Sequence, residues 1–154
     1  MKGKRLFSVV LALALVVSLV AVGCAKAPSP SEQPEAPALS EQPDKAIFNR
    51  YFSEMGLGRL PLGGKFPMDL QRNVAIFAPG DQISLYGTII EECQPRYKIY
   101  DVQAKQVVRE GGMPQPLMKG GFAGAESLDI PAGKYEYKVY VGDALAAVFP
   151  FEVK

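Results

Sequence analysis

Tyr135-Glu-Tyr-Lys-Val-Tyr-Val-Gly-Asp-Ala-Leu-Ala-Ala-Val-Phe-Pro-Phe-Glu-Val153 is the stretch whose reading decides the fold. Tyr135, Tyr137, Val139 and Val141 alternate with Glu136, Lys138 and Tyr140. After the short Gly142-Asp143 turn, Leu145, Ala147, Phe149, Phe151 and Val153 hold a single face. Alternation of apolar and polar side chains marks a strand with one buried face. Two such runs around a tight turn form a hairpin. Pro150 has no amide hydrogen to donate, so the second strand is expected to be an edge there or to carry a bulge.

The same period of two extends upstream. Ile83, Leu85 and Ile89 alternate with Gln82, Ser84, Tyr86 and Thr88, and Tyr97 and Ile99 alternate with Arg96, Lys98 and Tyr100. Shorter candidate strands lie at 74–78, 105–109 and 126–130. Six to seven short, half-buried strands with no helix between them predict an all-β chain, an antiparallel β-sandwich over residues 74–154.

Leu128-Asp-Ile-Pro-Ala-Gly-Lys-Tyr-Glu-Tyr-Lys-Val139 resembles the corner before the penultimate strand of bacterial immunoglobulin-like domains. The resemblance implies an immunoglobulin-like sandwich over about 74–154, with Tyr135 as a structural tyrosine corner whose hydroxyl bonds backbone a few residues upstream. The chain departs from the antibody pattern in having no Trp and no cysteine pair to bridge the sheets. The resemblance therefore implies architecture and no functional residues.

Before the sandwich, Asp44 is placed to cap a short amphipathic helix. Ile47, Phe48, Tyr51, Phe52 and Met55 share one face at helical spacing, and Gly56 sits at the expected C-terminal cap. Residues 57–73, rich in Gly and Pro, read as an irregular connection, so that 44–73 packs on the domain. Residues 24–43 read as a disordered linker: 25–43 contain five prolines and one large apolar side chain. Such a segment cannot bury enough to offset its ordering entropy.

The first 24 residues carry the address. Met1-Lys-Gly-Lys-Arg5 is cationic, Leu6 to Val22 is apolar except for Ser8 and Ser18, and Ala21-Val-Gly-Cys24 closes the run. The segment resembles a bacterial lipoprotein signal with its lipobox. The resemblance implies cleavage after Gly23, lipidation of Cys24, and a membrane anchor outside the cytoplasm, on a cell membrane or an outer membrane. Residues 1–23 are then signal peptide and 24–43 a lipid-anchored tether.

Composition narrows the chemistry. The chain has a formal charge of +1 and its positive excess sits in the signal, so no clustered basic surface argues for nucleic acid. There is no histidine, which removes Ser–His and Cys–His catalysis and most transition-metal sites. Gly58 to Lys65 fails as a phosphate loop, because Phe66 replaces the magnesium-binding Ser or Thr. With Cys24 lipidated, Cys93 stands alone beside Glu91 and Glu92, whose charge disfavours a reactive thiolate. No cofactor, metal or enzymatic activity is expected.

The remaining unusual segment is 111–124, Gly-Gly-Met-Pro-Gln-Pro-Leu-Met-Lys-Gly-Gly-Phe-Ala-Gly. Read as a long loop, it offers Met113, Leu117, Met118 and Phe122 as candidate partner contacts. Leu117 and Phe122 also suit plugging the end of the core. The sequence thus predicts a lipid-anchored, non-enzymatic envelope module with a structural or protein-interaction role. The alternative is an inhibitor-like or chaperone-like binder of a peptide or ligand, acting through a sheet edge or the 111–124 loop.

Overall fold

The computed structural model describes residues 41–154. The signal, Cys24 and the tether up to Ser40 lie outside the described residues. Among the described residues one helix, α1 (Lys45–Tyr51), precedes nine strands. These are β1 (Phe52–Leu60), β2 (Gln71–Arg72), β3 (Ile76–Phe77), β4 (Gln82–Ile89), β5 (Pro95–Asp101), β6 (Gln106–Gly112), β7 (Gly120–Ser127), β8 (Gly133–Val141) and β9 (Ala144–Val153).

One sheet has the order β2-β1-β4-β7 and the other β3-β9-β8-β5-β6. Along the described residues the chain changes sheet five times, between β2 and β3, β3 and β4, β4 and β5, β6 and β7, and β7 and β8. Two packed sheets with these crossovers make an immunoglobulin-like sandwich. Seven strands are long, two have two residues each, and β3 pairs with β9 in parallel. Every other pairing is antiparallel.

The inward residues of the two sheets meet in one cluster. Leu57, Ile83 and Leu85 face Ile99, Tyr135, Tyr137, Val139, Phe151 and Val153, with Phe77 and Leu128 between the layers. Burying side chains of this size contributes roughly 1.5–3 kcal/mol each. A second cluster, Phe52, Ile89, Cys93 and Ala146, fills the end nearest α1, with Ile47, Phe48, Tyr51, Leu117 and Phe122 packed around it.

The helix begins where the sequence places it. Asp44 is extended, and its Oδ1 accepts from the amides of Ala46 (2.8 Å) and Ile47 (3.3 Å). It ends earlier than expected. Phe52 is already extended, and Met55, Gly56 and Leu57 belong to β1, paired with Gly87, Tyr86 and Leu85. The ladder to β4 overrides a helical stripe only three turns long, because short helices draw most of their stability from packing. Gly56 is thus a strand residue, not a cap. A Cβ there would lie 2.6 Å from the Tyr86 hydroxyl, whose ring covers it. Sheet pairing starts at Phe52 rather than near Val74, and the supposedly irregular 57–73 contains the end of β1 and all of β2.

Pro150 lies where its missing donor costs nothing. Glu152 and Lys154 donate to Ala75 and Phe77 beside β9. Strand alternation aims position 150 the same way, but β3 pairs only with residues 152 and 153.

Candidate functional site

Tyr135 is the third residue of β8, and its hydroxyl donates to the Pro131 carbonyl at 2.8 Å. Its ring stacks on Phe151, centroids 5.5 Å apart, and burial pushes its pKa up, with the Asp101 charge adding to the shift. The bond reaches four residues back and ties the corner before β8 to the core, the geometry of a tyrosine corner.

The segment 111–124 is not one long loop. Gly111 and Gly112 finish β6, and Phe122 sits inside β7 opposite Gly87. Only 113–119 connects the two strands. Leu117 exchanges backbone bonds with Cys93 (2.7 and 3.3 Å), and both Leu117 and Phe122 pack on the second cluster. The Met113 methyl lies 3.6 Å from where a Gly124 Cβ would be. Met118 is 69% exposed, whereas Met113, Leu117 and Phe122 are half-buried.

Cys93 is buried in that same end of the core. Burial pushes its thiol pKa up, and the nearby Glu91 charge adds to the shift. Cys24 lies outside the described residues.

A polar network closes the flank between β6 and β7, the edges of the two sheets. Tyr97 donates to Glu126 Oε2 at 2.5 Å and stacks on Tyr137, centroids 5.0 Å apart. Arg109 donates to the Ser127 carbonyl and stands 3.9 Å from Glu126 Oε2. Burial, then the bond to Glu126, pushes the Tyr97 pKa up to about 12. Burial raises Tyr137 further, with a smaller contribution from the Glu126 charge. Glu126 Oε1 is buried without a hydrogen-bond partner among the described residues.

The outward face of the five-stranded sheet alternates cations and tyrosines. Lys98 lies over the Tyr140 ring and Lys138 over Tyr100, at 5.6 and 4.6 Å. Lys138 reaches Glu41 Oε2 at 3.2 Å and Glu136 Oε2 at 3.7 Å. A shallow depression of about 500 Å³ lies between Arg96, Lys98, Glu110, Tyr140 and Asp143. Arg96 is tied to Asp143 at 2.9 Å. Among the described residues no group of three or more His, Cys, Asp or Glu side chains is placed to hold a metal, and no described helix is long and apolar enough to cross a membrane.

β7 is an edge strand of the four-stranded sheet. Its eight residues pair with β4 without a bulge. Leu128 donates to Asp81, in step with that ladder, at 3.1 Å. Even-numbered residues of β7 therefore face β4, and the backbone groups of Gly121, Ala123 and Ala125 point away from the sheet. Beside them a groove of about 320 Å³ runs between Phe66–Pro67 and Gly121–Ala123, with Glu54, Arg72 and Thr88 along it. Sequence reasoning passed over this edge. The signal was there in Gly121, Ala123 and Ala125, small residues alternating with Phe122 and Glu126.

No family model and no curated protein matches the chain. Among solved structures it is similar to an immunoglobulin-like protein from Pseudomonas aeruginosa, 14% identical, with 68% of this chain and 95% of that chain covered and a TM-score of 0.46.

Proposed function

We propose that the chain is an exported, lipid-anchored, non-enzymatic module of the cell envelope with a structural or protein-interaction role. The observation that carries this reading is the edge strand β7, eight residues long, with three residues whose backbone groups are open. An unprotected edge pairs readily with another chain. The lipobox resemblance at Ala21-Val-Gly-Cys24 supports the anchor, and the proline-rich 25–43 supports a spacer of about 3 Å per residue. A binder of peptides or small ligands is the second reading. The groove walled by Phe66 and Pro67 beside β7 favours it.

The test compares full-length wild type with Cys24→Ala. Metabolic labelling with palmitate and membrane fractionation should show a lipidated, membrane-bound wild type and an unlabelled variant. Equal labelling of both would sink the anchor. Capture of envelope proteins by the wild type and by Ala123→Lys, which places a charge on the open edge, tests the interaction role.

A further inference from the structure

We infer that β7 pairs antiparallel with β7 of a second copy, centred on Ala123, joining two four-stranded sheets into one. The inference rests on the reading of β7 as a contact edge and names its occupant.

The other long edges are guarded, that of β1 beyond β2 by the bulge between Phe52 and Glu54 and by the charge of Glu54. β6 carries a register shift opposite Ile99/Tyr100 and the charged Arg109 and Glu110. β9 is covered by β3 at residues 152–153, its Leu145 carbonyl accepts from Asp44, and Pro150 interrupts what lies between. Bulges, charges and prolines are the devices that stop edges from pairing. Between Gly120 and Ala125, β7 has none of them.

Self-pairing follows from the arrangement of the open residues. A two-fold axis perpendicular to the sheet makes odd positions oppose odd positions. The register 121↔125, 123↔123 and 125↔121 engages all three open residues, each pair exchanging two backbone bonds. It ends at Ser127, whose carbonyl already accepts from Arg109.

Side chains fit the same register. On the outward face Gly121 meets Ala125, and Ala123 meets its own copy, so nothing bulky separates the backbones. On the inward face Phe122 opposes Gly124, the small position leaving room for the ring. Charge agrees as well. Lys119 falls opposite Ser127 and Glu126 opposite Gly120, so no like charges meet across the seam.

Crosslinking of the full-length chain in membranes tests this. In a Cys93→Ala background, Ala123→Cys under mild oxidation should give a reducible band at twice the monomer mass. Ser53→Cys, on exposed β1 backbone, should not. Sedimentation in detergent should show wild type associating and Ala123→Pro monomeric, since proline removes an outward amide without breaking the β4 ladder. An Ala123→Cys adduct of any other mass would overturn self-pairing while leaving β7 a contact edge. Absence of every adduct, with wild type sedimenting as a monomer, would overturn both.

Discussion

The phenolic oxygen of Tyr97 stands 2.5 Å from Glu126 Oε2, joining β5 of one sheet to β7 of the other. The bond closes a flank that apolar side chains leave open. It also holds a carboxylate whose second oxygen has no hydrogen-bond partner among the described residues.

Tyr97 should titrate late. Its folded pKa of about 12 lies above the ordinary value of 10.0, so folding favours the neutral phenol. That contribution is whole below about pH 10 and is lost as the pH rises from 10 towards 12. Tyrosine absorbance should therefore show a late phase, well above pH 10, coincident with loss of sheet signal. A single phase near pH 10 with the fold intact would refute the buried bond. Tyr97→Phe should cost about 1–3 kcal/mol, because Glu126 loses its closest donor.

Tyr135→Phe keeps the ring on Phe151 and removes only the bond to the Pro131 carbonyl. A loss of about 0.5–1.5 kcal/mol is expected in urea denaturation, with an unchanged slope. An unchanged midpoint would mean the corner is held by packing alone.

Gly87→Ala tests the bulge between Phe52 and Glu54. The added Cβ would lie 2.4 Å from the Glu54 carbonyl and 2.9 Å from the Phe122 ring. Overpacking of this kind costs about 1–3 kcal/mol. Thermal denaturation should show a lowered midpoint, and a neutral outcome would show that β1 and β7 move apart freely there.

Cys93 should be slow towards a thiol reagent at neutral pH and fast once the protein is denatured, because burial and Glu91 both hold the thiol protonated. Equal rates in the two states would contradict its place in the core.

The hairpin β8–β9 and the corner at Tyr135 were legible in the sequence because their signals are local: strict alternation, a Gly-Asp turn, and a tyrosine four residues after its acceptor. β1 was not. Ile47, Phe48, Tyr51, Phe52 and Met55 satisfy a helical period, and only the long-range ladder to β4 decides otherwise. β7 was hidden for another reason. Glycine and alanine stand where strand-forming branched residues are usual, and the glycines of 120–124 read as a loop. The candidate site was the least legible part, since the openness of an edge depends on which strands stop short of it. The root of the tether is similar: nothing local foretells that Glu41 reaches Lys138 across 97 positions.

The parallel pairing of β3 with β9 has a temporal meaning. Ile76 and Phe77 wait for Glu152 and Val153, and Phe151 and Val153 complete the main core. Contacts this distant in sequence close slowly. Until β9 is made, β3 has no strand to pair with and the main core lacks Phe151 and Val153. That dependence suits the export we propose, since a chain still lacking its closing strand stays threadable.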